Sequence, residues 1–163
     1  MRAADAGGER LIVDANLLVL YVVGAVDRTH VGRHKRTATF TADDFDLIVE
    51  LFSKAAAVIV TPNILTEVSN VCVFGLGGRS ASAVREKLRL FTRVEGVAES
   101  YVPSRVAADR VAFSRLGLTD AGILELSASG HTVLTDDLPL CLELARLGAR
   151  VLNFNHLRTH GGS

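Results

Sequence analysis

The chain has 163 residues, of which 48% are hydrophobic, and its 18 Lys and Arg are balanced by 18 Asp and Glu. This length and apolar content suit a single domain with a core of its own. The zero net charge excludes a surface built throughout for polyanions, so any contact with nucleic acid is expected to be local.

Secretion and membrane insertion are not expected. The most apolar stretch, Leu11 to Val26, is interrupted by Asp14 and Asn16 and falls short of the roughly 20 residues that a membrane span needs. The first residues carry no apolar segment of the signal-peptide kind. Cys72 and Cys141 lie in apolar stretches without a CxxC partner. We therefore expect buried, reduced thiols in a cytoplasmic protein.

A flexible leader is expected at 1–9, a domain at 10–154 and a polar tail at 155–163. Short apolar runs predict strands at 11–13, 58–60, 131–134 and 150–153, with a weak strand or a loop at 97–102. Amphipathic or apolar runs predict helices at 15–23, 41–56, 62–73, 80–94, 103–116, 119–129 and 137–147. The polar and basic segment 27–39 is expected to be a loop.

Helix ends are marked by capping residues. Thr41, Thr61 and Thr119 are suited to N-caps, and Pro62 to the first helical position. Gly117 is expected to end the helix before it. Because strands alternate with helices and hairpin turn signals are absent, the sequence predicts an α/β domain whose parallel sheet is covered on both faces.

Acidic residues follow two of the predicted strands. Asp14 comes directly after Leu-Ile-Val, and Asp136 and Asp137 come directly after Thr-Val-Leu-Thr. Asp120 lies in the first turn of a helix, beside Thr119. Each of these residues could serve only as a cap or complement a helix dipole. In a parallel sheet, however, the carboxyl ends of the strands share one edge, where ligands bind.

Glu67 is harder to explain as a structural residue. It lies between Ile64 and Val71 on the predicted helix, beside the inward stripe, and no basic residue stands within one turn. A charge near the core is costly unless it is paired. A cation shared with the other carboxylates would neutralise it, whereas a slightly rotated helix would expose it.

Four segments resemble, in order and spacing, the acidic motifs of the PIN-domain family. They are LIVDAN (11–16), TPNILTE (61–67), LGLTDA (116–121) and VLTDD (133–137). The resemblance extends over residues 10–154. It implies a Rossmann-like three-layer α/β/α sandwich with a central parallel sheet of four to five strands, a Mg²⁺ or Mn²⁺ site, and endonuclease activity on RNA.

The resemblance also implies roles for individual residues. The four acidic positions correspond to Asp14, Glu67, Asp120 and Asp137, which would hold the metal ion and carry catalysis. Supporting polar positions correspond to Asn16 and Thr135, and Asp136 takes the variable place. Since Asp136 is acidic too, the choice between it and Asp137 stays open. Oxygen ligands without histidine suit a hard divalent cation.

Substrate phosphates need local basic residues. The best candidates are Arg28, Arg33, Lys35 and Arg36, in a run that also contains His30 and His34. The same run would also suit a solvated loop. Only 6% of the residues are aromatic, so there is little sign of a base-stacking platform.

Other functions remain open. A noncatalytic PIN-like interaction module would keep the pocket but act through a partner, and a flap-type nuclease would act on DNA. A phosphoacceptor receiver domain is disfavoured because the strand at 58–60 ends without an Asp. Many small bacterial proteins that this chain resembles are toxins of toxin–antitoxin pairs, whose antitoxin tail occupies the acidic pocket. An antitoxin partner and a homodimer are therefore expected from the resemblance alone.

Overall fold

The structure is a computed structural model that describes residues 8–159. Residues 1–7 of the expected leader and 160–163 of the expected tail lie outside the described residues. Within residues 8–159, the secondary structure alternates between strands and helices.

The centre of the molecule is a sheet of five parallel strands in the order β3-β2-β1-β4-β5. The strands are β1 Arg10–Val13, β2 Ala57–Val60, β3 Val97–Glu99, β4 Thr132–Thr135 and β5 Val151–Asn153. Ile12 of β1 lies opposite Ile59 on one side and Val133 on the other. The segment expected to be a weak strand or a loop is thus partly an edge strand.

Eight α-helices are found within the described residues. They are α1 Ala15–Val26, α2 Ala42–Lys54, α3 Pro62–Val71, α4 Gly78–Phe91, α5 Ser104–Ala108, α6 Phe113–Ser127, α7 Leu138–Arg146 and α8 Phe154–Thr159. The expected caps Thr41 and Thr61 are confirmed, and Thr41 forms a reciprocal capping box with Asp44. Local hydrogen bonds therefore define where these two helices begin.

The helices cover both faces of the sheet. Helix α1 packs against α2, α3 and α4, whereas α6 packs against α5 and α7. Parallel crossovers are right-handed. The helices that connect β1 to β2 and β2 to β3 therefore lie on one face of the sheet. Those that connect β3 to β4 and β4 to β5 lie on the other. The result is the Rossmann-like three-layer sandwich expected from the sequence.

Helix α1 is apolar on almost every side, which fits its burial against α2, α3 and α4. A Cβ atom at Gly24 would lie 2.2 Å from the ring of Phe45, so only glycine allows this close approach. Tyr21 contacts the rings of Phe45, Phe52 and Phe91. None of the helices within residues 8–159 combines the length and apolarity that crossing a bilayer requires.

The region before Asp120 differs from the expectation. One helix was expected over 103–116, but α5 ends at Ala108 and α6 begins at Phe113. Gly117 interrupts α6 as expected, with a φ of 82° that favours glycine. The helix resumes directly after Gly117. Thr119 therefore lies inside the resumed turn, and its prediction as an N-cap was wrong.

The segment expected to be a loop at 27–39 is a series of tight turns. It begins with a 3₁₀ helix, Arg28–His30, and every third residue from Val31 to Phe40 is buried. Backbone bonds of the i to i+3 type, such as Thr37 N–H to His34 O at 3.0 Å, repeat along it. A period of three is the spacing of 3₁₀ turns, which explains why a helical pattern of 3.6 residues does not detect it.

Part of the segment expected to be a polar tail is helical and packed. Arg158 of α8 donates to the Asp44 carboxylate and to the Thr39 carbonyl, and its guanidinium lies 5.1 Å from the centre of the Phe40 ring. The side chain of Asp44 is only 7% exposed. This ion pair holds α8, at the end of the described residues, against the beginning of α2.

Replacing Arg158 should destabilise the fold. In Arg158→Met the stem is kept but Asp44 loses its cation, so we expect the free energy of unfolding to fall by about 3 kcal/mol. The matched control is Arg150→Met, which breaks the Arg150–Glu9 pair, whose arginine side chain is 67% exposed, and should cost at most about 1 kcal/mol. Urea unfolding measures both. Equal losses in the two variants would contradict a structural role for α8.

Candidate functional site

The candidate site lies where the chain connections reverse direction across the sheet. Strands β1 and β4 are neighbours, but β1 leads to one face and β4 to the other. Such a reversal opens a crevice at the carboxyl ends of the strands. Asp14 follows β1 directly, and Asp136 follows β4 directly. The backbone N–H of Asp14 donates to Leu134 O at 3.2 Å, which holds the two strand ends together.

Asp14 is buried, and both of its carboxylate oxygens accept hydrogen bonds from the protein. Its Oδ1 accepts the N–H of Leu17 at 2.9 Å, so Asp14 is the N-cap of α1. Its Oδ2 accepts the hydroxyl of Thr135 and the N–H of Asp136. The side chain is therefore held in one orientation by groups from both strand ends.

The environment of Asp14 nevertheless opposes ionisation. Burial raises the pKa of Asp14 to about 8, and the charge of Asp136 adds to this effect, although the bonds from Thr135 and Leu17 lower it. Burial also raises the pKa of Asp136, with the charge of Asp137 contributing. The Oδ1 atom of Asp136 is buried and has no hydrogen-bond partner among the described residues. A buried oxygen of this kind is costly unless something binds it.

Asp137 has a second, structural role. Its Oδ1 accepts the N–H of Leu140 at 2.7 Å, which makes Asp137 the N-cap of α7. Its own N–H donates to the Thr135 hydroxyl at 3.0 Å. Thr135 thus links Asp137 to Asp14. The alternative between Asp136 and Asp137 is not decided by position, because both lie at the site.

Asp120 and Glu67 extend the acidic cluster from two helices. Glu67 is half-buried on α3, and Asp120 is half-buried on α6, which packs against α3. Burial raises the pKa of Asp120 to about 7, and the charges of Asp137, Glu67 and Asp136 add to the shift. Since these charges act on Asp120, the carboxylates from α3, α6 and the end of β4 form one electrostatic cluster.

The chemistry of the donor atoms suits a metal ion, but the arrangement of the side chains does not. Within residues 8–159, no group of three or more His, Cys, Asp or Glu side chains is arranged so that it could hold one. Three of the oxygens, both of those on Asp14 and Oδ1 of Asp137, instead accept backbone N–H groups. The donor set itself, which consists of carboxylates with one unpartnered buried oxygen, suits Mg²⁺ or Mn²⁺.

Neutral residues brace the cluster. The Asn16 side chain, in the first turn of α1, opposes the rise in the pKa of Asp136. Asn155, assigned to the tail from the sequence, donates to the Asp136 carbonyl at 2.9 Å. The signal in the sequence that could have found Asn155 is its position directly after β5 and Phe154. Both cysteines are free and buried, as expected. Burial, with the charge of Asp137 adding, raises the pKa of the Cys141 thiol to about 11.

The structure separates the basic residues of the turn segment. The Nε atom of Arg28 donates to Asp46 at 2.9 Å in an ion pair on α2, so its prediction as a phosphate-binding residue is not supported. Arg33 and Lys35 are exposed. Arg36 reaches the site, where its Nη2 donates to Asn16 Oδ1 at 3.4 Å.

His34 is not one of the surface cations. It is buried, its Nε2 lies 2.9 Å from the carbonyl of Cys72, and its Nδ1 accepts the N–H of Arg36 at 3.1 Å. This arrangement requires a neutral ring that donates from Nε2. Burial correspondingly lowers the pKa of His34. The basic run therefore contributes one structural histidine and a few exposed cations.

Comparison of the sequence with protein-family models and with curated proteins returned no match.

Removing the Asp14 charge should stabilise the metal-free protein at high pH. A carboxyl whose pKa is raised from 3.8 to about 8 contributes stability below its unfolded pKa and loses it as the pH rises towards 8. In EDTA at pH 8, Asp14→Asn should raise the free energy of unfolding by on the order of 2 kcal/mol. This is a net value that already includes the loss of one accepted hydrogen bond.

The gain should shrink as the pH falls to 5, because Asp14 itself is then neutral. Asp43→Asn is the control, since the Asp43 side chain is 97% exposed, and it should change little at either pH. Urea unfolding at the two pH values measures the effect. A variant that is equally destabilised at pH 5 and pH 8 would show that the surroundings of Asp14 do not oppose its ionisation.

Proposed function

We propose that the chain is a PIN-type endoribonuclease that hydrolyses RNA phosphodiester bonds with Mg²⁺ or Mn²⁺. The observation that carries the proposal is the clustering of five carboxylates at the reversal point of the sheet, on Asp14, Glu67, Asp120, Asp136 and Asp137. Within residues 8–159, the ion pairs with Lys or Arg involve none of them. Their mutual repulsion favours a bound cation.

The ligands would come from the family's four acidic positions. Asp14, Glu67, Asp120 and Asp137 would hold the cation, and the unpartnered oxygen of Asp136 offers a further donor. A divalent ion bound there would supply a water of lowered pKa and neutralise charge on the phosphate. The carboxylates repel RNA when they are ionised and unneutralised, so cation binding and substrate binding should reinforce each other.

Two residues keep the carboxylates in place. The Thr135 hydroxyl donates to Asp14 and accepts from the Asp137 backbone, so it couples the ends of β1 and β4. The Asn16 side chain, in the first turn of α1, favours the ionised form of Asp136 by opposing the rise in its pKa. Because these donors orient the oxygens before any ligand arrives, little ordering is required when a cation binds.

The proposal includes a biological role as a cytoplasmic toxin controlled by an antitoxin, and a homodimeric state. The motif resemblance supports this role, and so does an apolar surface beside the site. Leu138 and Leu142 lie one turn apart on α7, next to the Asp137 cap, and are 58% and 62% exposed. Neighbouring exposed leucines suit contact with a partner.

Purified protein should cut RNA in Mg²⁺ or Mn²⁺ and not in EDTA. In Asp14→Asn the rate should fall at least roughly 100-fold, because several kcal/mol of transition-state stabilisation come from the bound cation. Asp43→Asn makes the same chemical change at an exposed position and should cut normally. Gel analysis of a mixed panel of RNA and single-stranded DNA measures the reaction.

Thermal unfolding with Mn²⁺ separates metal binding from cleavage. At 100 times the dissociation constant, Mn²⁺ should stabilise the wild type by about 2.7 kcal/mol, and this gain should be lost in Asp14→Asn. Stabilisation without cleavage of any substrate would favour the noncatalytic module. Cleavage of DNA in preference to RNA would favour a DNA nuclease, and cleavage that survives Asp14→Asn would contradict the proposed site.

A further inference from the structure

Arg36 lies at the rim of the carboxylate cluster with most of its guanidinium unused. It is exposed, and its Nη2 makes one long bond of 3.4 Å, to the neutral side-chain oxygen of Asn16. Asn16 lies in the first turn of α1, two residues after Asp14, which is the N-cap of that helix. Arg36 is thus one residue removed from the carboxylates and is not neutralised by them.

The other candidate cations of the turn segment are placed differently. Arg28 is held by Asp46, and a phosphate could recruit it only by breaking that pair. Arg33 and Lys35 are exposed, and no hydrogen bond within residues 8–159 joins either of them to the cluster. Among these four residues, only Arg36 hydrogen-bonds to a residue of the site.

The backbone of Arg36 is fixed by buried neighbours. Its N–H donates to Nδ1 of His34, whose Nε2 bonds to the carbonyl of Cys72 at the end of α3. Thr37, buried directly after Arg36, donates its hydroxyl to the Val31 carbonyl. The segment is therefore attached to the helix that carries Glu67, while the side chain of Arg36 meets α1.

We propose that Arg36 binds a backbone phosphate of the RNA and so positions the strand beside the carboxylates. This inference rests on the proposed nuclease function. A guanidinium offers two parallel donors to a phosphate, and Arg36 can supply them without breaking an ion pair. Because the cluster repels a polyanion, a cation at its rim provides an attachment point.

The experiment measures the binding of a short, fluorescent single-stranded RNA by anisotropy in EDTA, where no cleavage occurs. Arg36→Gln should weaken binding about 10-fold at low salt and should reduce the slope of log K against log salt by about 0.7, the value of one single-strand phosphate contact. Arg36→Lys should restore part of the affinity and the full slope, since it keeps the charge.

Arg93→Gln is the matched control. Arg93 lies in the exposed turn after α4, shortly before β3 begins. It is therefore near the amino-terminal ends of the strands, whereas the carboxylate cluster is at their carboxyl ends. The Arg93→Gln variant loses the same charge as Arg36→Gln and should bind RNA like the wild type. The stabilisation by Mn²⁺, measured by thermal unfolding, should be the same in Arg36→Gln and in the wild type, which shows that the carboxylate cluster is intact.

The outcomes distinguish this inference from the proposed function. Equal RNA binding by Arg36→Gln and Arg93→Gln would overturn the role of Arg36 and leave the nuclease proposal standing. Loss of Mn²⁺ stabilisation in Arg36→Gln would show that Arg36 only supports the cluster, and would also overturn it. A wild type that neither binds RNA in EDTA nor cuts it in Mn²⁺ would contradict both proposals.

Discussion

The site depends on the pairing of β1 with β4, two strands far apart in sequence whose following helices lie on opposite faces. Their register places Val13 beside Leu134, so Asp14 emerges beside Thr135 and Asp136. The Thr135 hydroxyl and the Asp136 N–H then converge on a single oxygen of Asp14. A one-residue shift of this pairing would direct these side chains away from one another, and the cluster would not form.

Helix N-termini make the accumulation of negative charge tolerable. Helices α1, α3 and α7 all begin at the carboxyl edge of the sheet, with Asp14, Thr61 and Asp137 as their N-caps. Their N-terminal N–H groups and dipoles favour anions. This stabilisation is incomplete, because burial still raises the pKa of Asp14 to about 8 and of Asp120 to about 7. The remaining electrostatic cost is what a divalent cation would relieve.

One side of the site is framed by segments that lack a simple helical or strand pattern. The turn segment and α8 meet where Phe40 packs edge-on against Phe154, with ring centres 6.0 Å apart. Arg158 secures α8 to α2, and Asn155 reaches the Asp136 carbonyl. Stable packing at this corner therefore positions both the acidic loop after β4 and the exposed cations of the turn segment.

The sequence alone determined the features that depend on neighbouring residues: the parallel α/β architecture, the caps at Thr41 and Thr61, and the placement of acids after β1 and β4. Hydrophobic period and capping are short-range effects, so they can be read from adjacent positions. Only the tertiary structure decided which polar groups have partners. It neutralised Arg28 with Asp46, buried His34 against Cys72 and packed α8 onto α2. These partners lie far apart in the chain, and the free energy of each charge depends on burial and on the charge beside it, which no local pattern contains.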